Sequence, residues 1–148
     1  MRLTFGATLY NEEASIPHIT NLVFQVLKRF PEDQFVFVDN GSTDRTHSIL
    51  SSAFQNNQSV RVIQNTNSHG YGDGMRRVLS EVETENVLTF PGDFQFQINE
   101  IIRIRDFWET KKHKPQHWNL FSVRKRNDGV YQATRGKIWR IALCLFFG

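Results

Sequence analysis

Residues 36–44 read V-F-V-D-N-G-S-T-D, and this segment constrains the fold more than any other. Phe35 to Val38 are four consecutive apolar residues rich in β-formers, as expected of a strand buried on both faces. The run stops at Asp39, turns at Asn40-Gly41 and offers Ser42 or Thr43 as a helix N-cap, with Asp44 in the first turn. Strand, tight turn and helix in such quick succession fit an open α/β sheet. A carboxylate at the C-terminal end of a parallel strand sits where such sheets hold their ligands, which makes Asp39 a candidate binding residue.

The rest of the chain repeats this alternation. Strands are predicted at Leu3–Leu9, Phe35–Val38, Val60–Ile63, Val87–Phe90 and Trp118–Val123. Helices are predicted between them at Ala14–Phe30, Asp44–Asn56, Gly72–Glu83 and Ile98–Lys111. Ile16, Ile19, Val23, Val26 and Phe30 recur at spacings of three and four, the buried stripe of an amphipathic helix. Met75, Val78, Leu79 and Val82 do the same further on. A β-α-β-α order predicts an α/β fold with a mostly parallel sheet, flanked by helices on both faces.

Composition narrows the class. A chain of 148 residues, 39% hydrophobic and 22% charged, fits one globular domain. A single cysteine, Cys144, excludes an internal disulfide framework and a multi-cysteine metal site. The longest apolar stretch, Ile141 to Phe147, is seven residues, far below the roughly 20 of a membrane span. No secretory signal is visible, and a cytoplasmic protein is expected. The net charge of +3 hides an asymmetry: residues 1–102 carry 7 Lys/Arg and 12 Asp/Glu, and residues 103–148 carry 11 and 3. An acidic body with a basic, aromatic tail suggests a cation-assisted site and an anionic partner.

In a parallel sheet the segments following each strand share one edge. Tyr10-Asn11-Glu12-Glu13, Asp39, Gln64-Asn65 and Pro91-Gly92-Asp93 are those segments here. Glu12, Asp39 and Asp93 are therefore expected around one cleft. Three carboxylates repel unless a positive charge lies between them. A divalent cation such as Mg²⁺ or Mn²⁺, holding a diphosphate, satisfies that demand with hard oxygen ligands.

Four of these segments, in order, resemble the family 2 glycosyltransferases of GT-A fold, in particular the branch of dolichyl- and polyprenyl-phosphate sugar synthases. Y-N-E-E at 10–13 looks like the family's first-strand motif, and V-D-N-G-S-T-D at 38–44 like its V-D-D-G-S-x-D. N-S-H-G-Y-G-D-G at 67–74 resembles its N-x-G-x-G-x-A loop, and P-G-D-F-Q at 91–95 its D-x-D-x-Q metal motif. The resemblance implies that Tyr10, Glu12, Asp39, Gly70 and Gly72 bind a nucleotide-diphospho-sugar. It implies that Asp93 and Gln95 hold the cation. Two residues depart from the pattern: Asn40 replaces the second Asp of D-D-G, and Pro91 replaces the first Asp of D-x-D. Gly70-x-Gly72-x-Gly74 is not G-x-G-x-x-G and follows the third strand, which argues against a dinucleotide-binding oxidoreductase. A related nucleotidyltransferase would carry a glycine-rich, lysine-bearing loop after its first strand, and Tyr10-Asn11-Glu12-Glu13 supplies none.

Arg124-Lys125-Arg126 follow the fifth predicted strand. The resemblance places Arg126 at the acceptor or donor phosphates, where a guanidinium donates two parallel hydrogen bonds. Tyr131, Trp139, Phe146 and Phe147 alternate with Arg135, Lys137 and Arg140, a pattern for a helix at a membrane interface or against the core. No RNA-binding motif accompanies this basic tail, so no nucleic-acid partner is expected. Residues 1–148 read as one GT-A-like domain, with a nucleotide-sugar-binding part at 1–100 and an incomplete acceptor-side part at 101–148. Such a domain transfers a sugar to a lipid phosphate, on the cytoplasmic face of a membrane, with Asp93 and Arg126 as its catalytic residues. The alternative is a truncated, catalytically incompetent domain that binds only nucleotide or a partner protein.

Overall fold

The computed structural model describes residues 2–67, 70–93, 97–110 and 117–119. The described residues hold five strands: β1 Thr4–Leu9, β2 Gln34–Asp39, β3 Val60–Gln64, β4 Val87–Thr89 and β5 His117–Asn119. Four α-helices connect them: α1 Ile16–Arg29, α2 Thr46–Phe54, α3 Tyr71–Ser80 and α4 Ile98–Thr110, with a 3-10 turn Glu13–Ser15 before α1. Each strand and helix predicted between Leu3 and Val123 has its counterpart, and the helix pattern of residues 131–147 lies outside the described residues. The fifth strand begins one residue early, and the rest of its predicted span, 120–123, lies outside the described residues.

All four strand pairings are parallel and the order is β3-β2-β1-β4-β5. The order reverses at β1, since β2 lies to one side of it and β4 to the other. Connections from a parallel strand must cross over the sheet, and open sheets part their loops at such a reversal, leaving a crevice beyond the strand ends.

Alternation along the strands sorts the core into two layers. Phe5, Phe35 and Phe37 point to the face covered by α1, α2 and Ile101 of α4, together with Leu22, Val26, Leu50 and Phe54. Phe5 stacks on Phe35 at 4.8 Å, Phe35 on Phe37 at 5.8 Å and Phe37 on Phe54 at 6.0 Å. Burial of each such side chain contributes about 1.5–3 kcal/mol. Val36 and Val38 point the other way, onto Val78 and Met75 of α3. Both faces of β2 are thus covered, as its unbroken apolar run requires.

The start of α2 differs from expectation. Neither Ser42 nor Thr43 caps it; the helix begins at Thr46, after Arg45, with no side-chain cap. Ser42 and Thr43 are instead engaged by the loop after β1. Ser42 Oγ accepts the Asn11 amide at 3.0 Å, and Asn11 Oδ1 accepts the Thr43 amide at 2.8 Å. Hydroxyl and carboxamide side chains bond neighbouring backbone in either setting, so local sequence does not separate a cap from a loop tie.

Candidate active site

The loops that follow β1 and β2 are laced together. Asn11 takes a positive φ of 53°, a conformation asparagine tolerates, and so turns its amide and side chain toward residues 42–43. The Glu12 amide donates to Thr46 Oγ1 at 2.8 Å, and the Glu13 amide to Asp44 Oδ2 at 3.2 Å. Glu13 Oε2 in turn accepts the Arg45 amide at 3.0 Å. Partial desolvation pushes the Asp44 carboxyl up, but hydrogen bonds from Thr46 and from the Glu13 amide outweigh it and hold Asp44 below the usual carboxylate range. Much of Y-N-E-E and S-T-D is therefore a zipper between two loops.

What the zipper frames is a cleft of about 640 Å³ at the carboxyl edge of the sheet. Thr8, Tyr10, Glu12, Asn40, Gly41, Thr66, Gly70, Tyr71, Pro91, Gly92 and Asp93 line it. It lies across β1, where the strand order reverses. Gly92 brings the β4 loop onto the end of β1 so closely that a Cβ there would stand 2.1 Å from the Thr8 carbonyl oxygen. Only glycine permits this approach, and it carries Asp93 to the cleft. Two aromatic rings, Tyr10 and Tyr71, line the same cleft at 59% and 58% exposure.

Of the residues expected to gather, Tyr10, Glu12, Gly70 and Asp93 line the cleft. Gly72, exposed two residues beyond Gly70, is not among its described lining residues. Asp39 does not share the cleft surface with Glu12 and Asp93, which corrects the picture of three carboxylates around one opening. Its side chain is fully buried, and its Oδ1 accepts the Ser42 amide at 3.2 Å, which closes the turn at Asn40-Gly41. Its Oδ2 has no hydrogen-bond partner among the described residues; His47 Nδ1 is 3.8 Å away. Gln95 and Arg126 lie outside the described residues, as do Ser68 and His69 of the glycine loop. Thr8, Thr66 and Tyr71 also line the cleft, although none of them is expected there from sequence. The aromatic at position 71, just after a loop glycine and at the start of a helix, was the one visible signal among these.

For a divalent cation the donor set fits on one condition. Among the described residues no group of three or more His, Cys, Asp or Glu is placed to form a protein cage. Asp93 is an exposed carboxylate in a cleft that Glu12 also lines. A hard cation that keeps waters and takes substrate phosphates needs only one or two carboxylates.

Comparison with known proteins bears on the fold and the family. The fold is similar to that of S. aureus TarS 1-349 crystallised with UDP-GlcNAc, at 27% identity and a TM-score of 0.62. A second structure of the same TarS fragment gives 24% identity and a TM-score of 0.62, a likeness of fold. Each match covers 74% of this chain, and this chain spans about a third of the TarS fragment: 32% in the first case and 33% in the second. No curated protein sequence gives a significant match. The profile described as "Glycosyl transferase family 2" matches residues 6–143, nearly the whole length, and the chain belongs to that family.

Proposed function

We propose that this chain binds a nucleotide-diphospho-sugar in the cleft beyond β1 and β4 and transfers the sugar to an acceptor, a polyprenyl or dolichyl phosphate. The observation that carries the donor half is the cleft itself: two exposed tyrosines, two carboxylates and the threonines Thr8 and Thr66, at the reversal of a parallel sheet. Similarity to a TarS structure holding UDP-GlcNAc supports a nucleotide-sugar as the ligand.

Each residue has a part to play. Tyr10 and Tyr71 offer flat apolar surfaces for a base or a sugar ring. Asp39, whose Oδ2 has no hydrogen-bond partner among the described residues, would accept a hydrogen bond from a base N–H or a ribose hydroxyl. Glu12 Oε2 accepts the Ser15 hydroxyl at 2.7 Å, which fixes the carboxylate at the cleft wall. Asp93 and Gln95 hold the cation, and Gly70 and Gly72 let the loop backbone come close to the ligand. A bound Mg²⁺ or Mn²⁺ offsets the negative charge that develops on the departing nucleoside diphosphate. Arg126, in the basic segment, meets the acceptor or donor phosphate.

The acceptor half of the reading rests on charge. Residues 103–148 carry 11 Lys/Arg against 3 Asp/Glu, a match for an anionic lipid phosphate at a membrane surface. No described helix is long and apolar enough to cross a membrane. A phosphate acceptor is ionised near neutral pH and attacks the anomeric carbon with little help from a general base. Labelled UDP- and GDP-sugars, incubated with polyprenyl phosphate and Mn²⁺, test the proposal. Label should pass to the lipid, and Asp93→Ala should lower turnover by about a hundredfold or more with an unchanged melting temperature. Tight nucleotide binding with no transfer to any acceptor would instead support a domain that only binds.

A further inference from the structure

Asn40 stands at the second Asp of the D-D-G pattern, and both ends of its carboxamide are in use. Its Nδ2 donates to the Gly70 carbonyl at 3.1 Å, and its Oδ1 accepts from Asn65 Nδ2 at 3.0 Å. Asn65 Nδ2 also donates to Asp73 Oδ2 at 3.0 Å. The Gly70 carbonyl further accepts the amides of Asp73 and Gly74, at 3.1 and 3.3 Å. The network thus joins the end of β2, the end of β3 and the first turn of α3. Its packing is equally tight: a Cβ on Gly74 would stand 2.8 Å from Asn40 Cγ, so the carboxamide fills the space a side chain would need. Asn40 itself is 7% exposed.

We infer that Asn40 is a positioning residue, a clasp that fixes the Gly70–Gly74 segment against the strand ends and so sets the wall of the cleft carrying Tyr71. The inference deepens the donor-binding reading and rests on it for its effect on ligand, though not for the clasp itself. The chemistry requires an amide. A carboxylate accepts hydrogen bonds and donates none, so an aspartate here would face the Gly70 carbonyl oxygen with no proton to share. It would also add a second negative charge beside Asp73, whose own cationic neighbour, Arg76, is 3.7 Å away. A protein with asparagine at this position closes the loop with no charge to neutralise.

The full chain and its Asn40→Asp variant provide the test, read by amide hydrogen exchange without ligand and by calorimetry with UDP and GDP. Exchange at Asp73 and Gly74 should quicken about tenfold in the variant, the loss of one hydrogen bond, with β2 and α4 unchanged. Affinity for the nucleotide that wild type binds should fall about tenfold at pH about 7.5, and the deficit relative to wild type should narrow as pH drops toward about 4, where an ordinary Asp carboxyl is about half protonated and again donates to Gly70. A merely space-filling role would give no pH-dependent recovery. Unchanged exchange at Asp73 and Gly74 overturns the clasp, and faster exchange with undiminished affinity overturns its link to the cleft. If wild type binds neither nucleotide, the donor reading fails while the exchange result still decides the clasp.

Discussion

At the amino ends of β1 and β2, Arg105 is almost wholly buried and grips Asp33 through hydrogen bonds of 2.6 and 3.1 Å. At the carboxyl ends of the same sheet, Glu12 and Asp93 stand at an open cleft. The two ends place carboxylates in opposite surroundings. Below, Asp33 also accepts the Leu3 amide at 3.0 Å, Arg105 pairs with Glu109, and the Phe30 ring lies 4.4 Å from the guanidinium. That cluster ties α4 to the strands. Hydrogen bonds to Asp33 and Glu109 outweigh the burial of Arg105 and keep it firmly protonated. Above, the Glu12 carboxylate accepts the Ser15 hydroxyl at the edge of an opening of about 640 Å³ that Asp93 also lines. The difference teaches that charge closed off by protein partners ties elements of the fold together, whereas charge at the cleft stays at an opening.

Breaking the lower end should have the largest effect on stability. Arg105→Ala leaves Asp33 buried without its counter-charge and should cost about 3–5 kcal/mol, seen as a shifted urea midpoint. A loss under about 1 kcal/mol would mean the cluster is not a structural lock. Gly92→Ala works at the upper end by sterics, pushing the β4 loop off Thr8; it should cost about 1–3 kcal/mol and weaken nucleotide binding as well. Tyr71→Ala should leave stability untouched and weaken the nucleotide about tenfold, whereas Tyr71→Phe retains binding. If Tyr71→Ala binds nucleotide normally, the ring is not a wall of the donor site.

The smallest effect concerns pH. Glu109 is held below its usual value, chiefly by the hydrogen bond from Arg105, and Asp44 by its ties to Thr46 and Glu13. Both carboxyls are lowered in the folded protein. Their stabilisation is therefore present above the ordinary carboxylate range and lost as pH falls through the lowered values. Burial raises the Asp33 carboxyl and acts in the opposite sense, so the test is a difference: between pH about 5 and about 3 Asp44→Asn should lose less melting temperature than wild type.

Much of this was legible in the chain. The apolar runs Leu3–Leu9 and Phe35–Val38 and the α1 stripe depend on local periodicity, so β1, β2 and α1 were found close to their true bounds. Parallel order then places Glu12 and Asp93 at one edge without further information. The Asp33–Arg105 lock was not legible, because its partners are 72 residues apart and Arg105 sits in a helix that reads as ordinarily amphipathic. Nor was the burial of Asp39, since the turn at Asn40-Gly41 decides which of two adjacent polar side chains faces the cleft. Asn40 lines it, and Asp39 is buried and accepts the Ser42 amide.

The account stands most directly on Asp93 as the residue through which the cleft grips a diphosphate. Calorimetry of the full chain with UDP and GDP, with and without Mn²⁺, compares wild type with Asp93→Ala. The prediction is that Mn²⁺ strengthens nucleotide binding to wild type by about tenfold or more and gives Asp93→Ala no such gain. An equal response to Mn²⁺ in both proteins would contradict it.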